Sequence, residues 1–540
     1  MVLLVFLMMA CRLLAPDGAG PLETGVPTAS IVPTQVTPTQ LPSPSPTVSP
    51  NITPTLPPVE PTQSPEETYS VRVHPDHALY VGDLVSFEVI PPQDLDMEGK
   101  RVVIQIDEPE GDEIGTAEFG PFGIAGRIQA TLTWTWDTSG LEPGNYSLLF
   151  SVQPGGPEWI EYFYLHPEDI LPPPEPNAEW ASIETDCCLI HYITGTEAER
   201  DMQFLADQAG EQAERVSQSM EAELTDPVVI TLLPRVLGHG GFAAAEISIS
   251  YLDRNYAGSM FDMVLHHELV HILDGRLGGE MRPSILVEGL AVYLSGGHFK
   301  PETLLPRAAA LLHLPDRDEE SELGWYLPLA PLVDGFYSAQ HEIGYLQGGA
   351  LVEHMVLTRG WDTFSAFYRD IQPHESGSQA QAMNQALVEH YGLTLEELEQ
   401  EFLNVLSLQT VTSDLIEDVR LTVQYYDTVR RYQRLLDPSA YFRTAWLLNN
   451  EDMRQRGIVS DYVRRPMNPE NVGIESLLVT ANEHLIGERY AEAEEFLEYI
   501  NNSLDAVAEG APYVVPLAPI VPTHTPSLRP DGLDALIDAQ

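Results

Sequence analysis

The chain has 540 residues, enough for several domains and for a large core in at least one of them. Its 81 acidic against 27 basic side chains leave a formal charge of −54, which argues against nucleic acid or an anionic membrane surface as a partner and favours solubility outside the cell. Three cysteines, Cys11, Cys187 and Cys188, are too few for a disulfide scaffold.

Residues 1–11 are an apolar run ending in Ala10 and Cys11, too short to span a bilayer, which takes about 20 residues. The run resembles the end of a bacterial lipoprotein signal, although Met8 and Met9 are unusual before the cysteine and no basic residue precedes it. The resemblance implies a lipidated Cys11 as the mature N-terminus and a protein held on the outer face of a membrane, or else secreted. Residues 12–68 are dominated by Pro, Thr and Ser, a composition that buries nothing and is expected to act as a disordered tether.

Residues 69–170 change to short alternating segments separated by Gly, Pro and Asp: 70–73, 84–90, 101–106, 129–136, 145–153 and 159–165. That pattern predicts an all-β sandwich. The stretch Leu141 to Tyr146 resembles the last hairpin of many bacterial immunoglobulin-like modules, so the fold expectation for this part is an immunoglobulin-like sandwich serving as spacer or adhesion module. The prolines of 172–176 read as the hinge to the next domain.

From Trp180 the pattern is strand (187–193), helix (198–223), strand (228–232) and an edge strand, Ile247 to Tyr251, able to pair with an extended peptide. Cys187 and Cys188 read as packing residues, with a vicinal disulfide as the lesser alternative. A helix follows with His267-Glu268-Leu269-Val270-His271 set in an apolar run. Residues four apart share a helix face, so His267 and His271 can offer two imidazole nitrogens to one metal ion while Glu268 reaches a water on it. Gly275 is expected to stop this helix, and a second opens near Pro283, carrying Glu288 in V-E-G-L-A as the natural third ligand. Two His and one carboxylate around zinc leave one position open. A water there ionises near a pKa of about 7 instead of about 15.7, and Glu268 can pass its proton to a leaving amine. The implied reaction is amide hydrolysis, with one zinc ion per chain and a peptide or protein as substrate.

The pair H-E-L-V-H and V-E-G-L-A-V-Y resembles the gluzincin metallopeptidases. It is similar to the aminopeptidase N family, whose spacer is two residues longer, and His267 to Arg276 resembles the corresponding stretch of the clostridial collagenases. The resemblance covers about 179–408 and implies an α+β metallopeptidase domain at 178–410. Ile343 to Ala350 resembles the aminopeptidase motif whose Tyr hydroxyl bonds the oxyanion, which gives that role to Tyr345; packing at a helix start is the alternative. Gly241 to Tyr251 lies where that family carries the Glu that pairs with a free substrate N-terminus. The family's motif itself is missing there, and Glu246 is the only nearby carboxylate, which favours an endopeptidase over an aminopeptidase.

Residues 411–508 read as helical, with 474–500 similar to one tetratricopeptide-type pair, and 509–540 as a disordered tail. His266 points away from the ligand face, and Asp274 is either a carboxylate orienting a ligand imidazole or a plain helix end. His239, His298, His313, His341, His354 and His390 have no metal spacing around them. The sequence thus predicts a multidomain chain whose leading reading is an extracellular or membrane-anchored zinc metallopeptidase. A surface-binding lipoprotein that keeps the fold without turnover is the alternative from another class, and a metal-dependent hydrolase of a non-peptide substrate fits the same ligands. Glu268 speaks against the non-catalytic reading, since binding alone has no use for the base. Nothing in the sequence gives the oligomeric state.

Overall fold

The computed structural model describes residues 68–107, 111–315 and 323–510. The expected lipoprotein signal with Cys11, all but the last residue of the 12–68 tether, and the tail beyond 510 lie outside the described residues.

Eight strands make up the N-terminal part: β1 (Ser70–His74), β2 (Leu79–Tyr80), β3 (Leu84–Ile90), β4 (Arg101–Ile106), β5 (Glu113–Phe122), β6 (Arg127–Asp137), β7 (Gly144–Gln153) and β8 (Glu158–His166). Their order is β1-β3-β6-β5-β4-β7-β8-β2. The strand β5, which the sequence hid behind Gly115, Gly120 and Pro121, joins two layers: its first half pairs with β4 and its end, from Phe119, with β6. Between the layers the inward residues alternate as a pleated strand requires, as with Leu148, Phe150 and Val152, and the first two pack with Phe87 and Trp136. Each such side chain contributes about 1.5–3 kcal/mol by burial.

The second sheet has the order β12-β13-β11-β10-β9, from β9 (Trp180–Glu184), β10 (Cys188–Ile193), β11 (Val228–Leu233), β12 (Gly241–Ala243) and β13 (Ile247–Ser250). Strands β10, β11 and β13 are parallel, and the outer two run antiparallel to them. The segment expected as the edge, Ile247 to Tyr251, is therefore an inner strand. A three-residue strand, too short to show a period, occupies the edge instead. Helix α1 (Met202–Ser219) connects β10 to β11 and buries Leu205, Ala209, Ala213 and Val216, spaced as one helix face. Cys187 and Cys188, expected as packing residues, are joined to each other by a disulfide, with the Cys188 N–H donating to the Thr185 hydroxyl at 3.0 Å. Cys188 is buried in the core as well.

Helices α2 (Phe261–Leu277), α3 (Ser284–Ser295) and α4 (His341–Arg359) build the centre of the molecule. Helix α2 runs past Gly275 and ends where Gly278 takes φ +80°, and Pro283 sits just before the first turn of α3. A Cβ on Gly289 would lie 2.4 Å from the carbonyl oxygen of Gly348, so the glycine of V-E-G-L-A is what lets α3 and α4 cross this closely. Helices α5 (Ser413–Leu436), α6 (Pro469–Ile486) and α7 (Tyr490–Ala508) pack around Tyr432, Leu478, Leu485 and Leu497. Among the described residues, no helix is long and apolar enough to cross a membrane.

The sandwich was expected as a spacer on a proline hinge, but it is docked. Arg464 binds Asp83 (2.6 and 2.7 Å) and Glu175 of the proline-rich run (2.8 and 2.5 Å). Arg235, only 1% exposed, binds Asp76 at 2.9 Å and Ser439 at 2.6 Å, and the His74 ring stacks on Trp446 at 3.8 Å. Segment 437–465 thus ties the sandwich to the second sheet. These are single polar and aromatic contacts with no sequence period, which is why the docking is invisible before folding.

Candidate metal centre

His267 and His271 lie one turn apart on α2, and Glu288 faces them from α3. The Nε2 atoms of both imidazoles are 3.2 Å from Glu288 Oε2, and one donor atom from each of the three residues falls within 4.8 Å of the others. Zinc bonds of about 2.0–2.2 Å in tetrahedral geometry place donor atoms roughly 3.3–3.5 Å apart, and both imidazole–carboxylate separations are close to that spacing. All three expected ligands are brought together.

Glu288 is fixed from its other side. The hydroxyl of Tyr337 donates to Glu288 Oε1 at 2.6 Å, a contact without a sequence signal because Tyr337 lies 49 positions away in a single 3-10 turn, Phe336–Ser338. Burial would raise the Glu288 carboxyl, but the His271 charge and the bonds to both imidazoles outweigh it and hold the group well below its usual range. Burial pushes His267 down to about 4; in His271 the charge of Glu288 overcomes burial and raises it to about 9.

Glu268, next to His267 and 6% exposed, is pushed up to about 7, chiefly by burial. Edge strand β12 lies against it: a Cβ on Gly241 would sit 2.5 Å from Glu268 Oε1. The strand's ladder alternates between bonded and unbonded pairs. Ala244 N–H donates to Glu246 O and Ser250 N–H to Gly240 O, so Gly241 and Ala243 turn their main-chain groups to the open side.

The three ligands and Glu268 line a cavity of about 310 Å³ together with Tyr345 and Tyr337. Tyr345, in the second turn of α4, lays its ring 6.2 Å from that of His267 and 4.5 Å from that of His298. Burial raises its hydroxyl well above the usual value, so it is a neutral donor. Three histidines set aside in the sequence, His239, His298 and His341, also line the cavity. His298 Nδ1 is 2.8 Å from Oε2 of the fully buried Glu342, whose other oxygen is 3.6 Å from Arg307. Burial drives His239 and His341 well down, leaving neutral rings 3.5 Å apart whose Nε2 atoms have no hydrogen-bond partner among the described residues. Their signal was absent because a loop, the end of α3 and the start of α4 converge only in three dimensions.

His266 turns away and meets Gln212 of α1 at 3.0 Å. Asp274 is engaged by Arg282 (2.9 Å), Arg369 (2.6 Å) and the Tyr368 hydroxyl (2.9 Å), which makes it an anchor for the end of α2. His271 Nδ1 is buried without a hydrogen-bond partner, so Asp274 does not orient that ligand.

No protein-family model matches the chain, and no curated protein does. Among solved structures, a two domain M1 zinc metallopeptidase bound to L-arginine is 13% identical, covering 64% of this chain and 94% of that one, with a TM-score of 0.26. The M1 zinc metallopeptidase from Deinococcus radiodurans is 11% identical, covering 64% and 91%, also at 0.26. A superposition at that score carries no argument, and the functional reading rests on the site.

Proposed function

We propose that this chain is a zinc-dependent peptidase that cleaves within extended chains. The observation that carries the proposal is the convergence of His267, His271 and Glu288 at 3.2 Å with the buried carboxyl of Glu268 beside them. Zinc, when bound, acidifies a water and polarises the carbonyl to be attacked. Glu268 takes the water's proton on a carboxylate oxygen and hands it to the departing amine. The Tyr345 hydroxyl donates to the oxyanion. Substrate main chain pairs with the open groups of Gly241 and Ala243, the first preference for an extended peptide on a sheet edge.

The preference for internal bonds is supported by Glu246, the carboxylate nearest in sequence to where the resembling family carries its N-terminus anchor. It is bound to Arg454 at 2.8 Å and does not line the cavity. Desolvating an unpaired ammonium in such a cleft is costly, whereas a continuing chain brings no charge. Comparing one peptide with free and with acetylated N-terminus tests this: equal internal cleavage of both is expected, and release of single residues from the free form alone would overturn it. The reading includes attachment outside the cell through Cys11, motivated by residues 1–11 alone; mass spectrometry of the N-terminal peptide from the native host is expected to show an acylated cysteine, and an unmodified peptide containing Met8 and Met9 would reject it.

A further inference from the structure

A second cavity, of about 320 Å³, opens where the sandwich meets the segment after α5. Four guanidinium groups line it: Arg72 of β1, Arg127 of β6, Arg434 in the last turn of α5, and Arg443. In a chain with 81 acidic and 27 basic side chains, four arginines gather around a cavity that, among the described residues, no carboxylate lines.

The charges on this wall are not balanced. Glu88 serves Arg127 at 2.8 Å and Arg72 at 3.8 Å, and also faces His74 at 3.3 Å; Arg127 further donates to Gln129 at 2.8 Å and to the Thr444 hydroxyl at 3.3 Å, and Arg72 to the Pro438 carbonyl at 3.4 Å. Arg434 lies over the Tyr441 ring at 5.8 Å, and neither it nor Arg443 has an ion-pair partner among the described residues. Arg443 Nε is buried without a hydrogen-bond partner. Like charges around one cavity repel until a counter-charge enters, and guanidinium forks are suited to planar or tetrahedral oxyanions. The hydroxyls of Tyr441 and Thr444 add polar contacts to the same wall.

The cavity adjoins the cleft. Ile124 lines the cavity of the metal centre while its neighbour Ala125 lines this one, and Phe442 lines the first while Tyr441 and Arg443 line the second. The two loops are tied by the Ala125 N–H donating to the Arg443 carbonyl at 3.1 Å.

We propose that this arginine-lined cavity is an oxyanion site, taking a carboxylate or phosphate group between Arg434, Arg443 and Arg127. On the peptidase reading above, the favoured source is an acidic side chain or terminal carboxylate of a peptide lying in the adjoining cleft, which makes the cavity a determinant of substrate choice.

Calorimetry with inorganic phosphate, and with an acetylated glutamate-containing peptide beside its glutamine counterpart, tests this on the full chain carrying Glu268→Gln so that no cleavage intervenes. Against that background, Arg434→Gln with Arg443→Gln is expected to weaken phosphate about tenfold or more, since each lost charged hydrogen bond is worth about that factor. It is expected to weaken the glutamate peptide similarly and leave the glutamine peptide unchanged. The single variant Arg434→Gln, at an exposed helix end, keeps the test available if the double variant does not fold. Loss confined to phosphate supports the site with a free anion as its ligand. Absence of saturable phosphate binding, or equal affinity with and without the two arginines, overturns the site, and neither result depends on peptide cleavage. Phosphate taken up at the metal centre is common to both proteins and drops out of the difference.

Discussion

Gly241 approaches Glu268 so closely that a Cβ there would lie 2.5 Å from Glu268 Oε1 and 2.7 Å from Val264 Cγ1. The edge strand therefore presses on the proposed base, and the position of its carboxylate depends on a residue without a side chain. Gly241→Ala forces either β12 or Glu268 to shift. The expected outcome is unchanged zinc content with turnover lower by about 10²-fold, the order of loss that a 1 Å misplacement causes. Wild-type turnover in that variant would show that β12 does not set the base.

Two tyrosines on the cleft wall separate by what their hydroxyls reach. Tyr337 bonds the ligand Glu288 at 2.6 Å, whereas Tyr345 lies over the rings of His267 and His298. Tyr337→Phe is expected to weaken zinc binding by about 10–100-fold, as loss of a partner to a metal-ligating group does. Tyr345→Phe is expected to keep zinc and to cost about 10² to 10³ in rate. Zinc titration and steady-state kinetics on the two variants check both; the opposite assignment of effects would move the oxyanion role to Tyr337.

Chelation tests the ligand set without any substrate. At free zinc about 100 times its dissociation constant, binding stabilises the fold by about 2.7 kcal/mol. Treatment with a strong chelator is expected to lower the melting temperature of the natural chain and leave that of His267→Ala in place. Glu268→Gln is expected to respond like the natural chain, because it keeps all three ligands, while losing several orders of magnitude in turnover. A chelator shift persisting in His267→Ala would place the metal elsewhere.

What the sequence made legible is what has a local period. The i, i+4 histidines and the helix carrying Glu288 are contiguous patterns, and the side chains land where the spacing puts them. Strand β12 escaped because Gly241, Phe242 and Ala243 are too few to show alternation, and β13 was read as the edge in its place. Tyr337, His239, His298 and His341 escaped for a different reason: each sits in a stretch with no metal-like spacing and reaches the cleft through packing between distant segments. The sandwich's strands were legible, but its docking was not, since Arg235, Arg464 and His74 find their partners up to 386 positions away. Buried charge pairs leave no signature in composition.

That docking makes stability depend on pH through His74, which is 1% exposed. Its Nε2 is 3.3 Å from Glu88 and its Nδ1 3.4 Å from Asp76, with Trp446 stacked on the ring and Asp461 nearby. The Asp76 approach is close without hydrogen-bond geometry, so it acts as a charge contact. Burial alone would lower the His74 pKa, but Asp76 and Glu88 outweigh it and raise it from 6.5 to about 9. A group raised on folding stabilises fully below its unfolded value, and the contribution disappears as pH rises through the folded value. The window is therefore about pH 6.5 to 9, with roughly 3 kcal/mol at stake as an upper figure. Asp76 is held well below its usual range by His74 and Arg235 against the opposing effect of burial, so it stays ionised throughout. Glu268, Glu302 and His271 also titrate near this range, and comparison with His74→Gln cancels what they add to both proteins. Urea unfolding at about pH 6.5, 7.5 and 9 is expected to show the natural chain losing its advantage over His74→Gln stepwise as pH rises. A difference that stays constant across the window would mean that His74 is neutral in the folded state and that the sandwich is held by Arg235 and Arg464 without it.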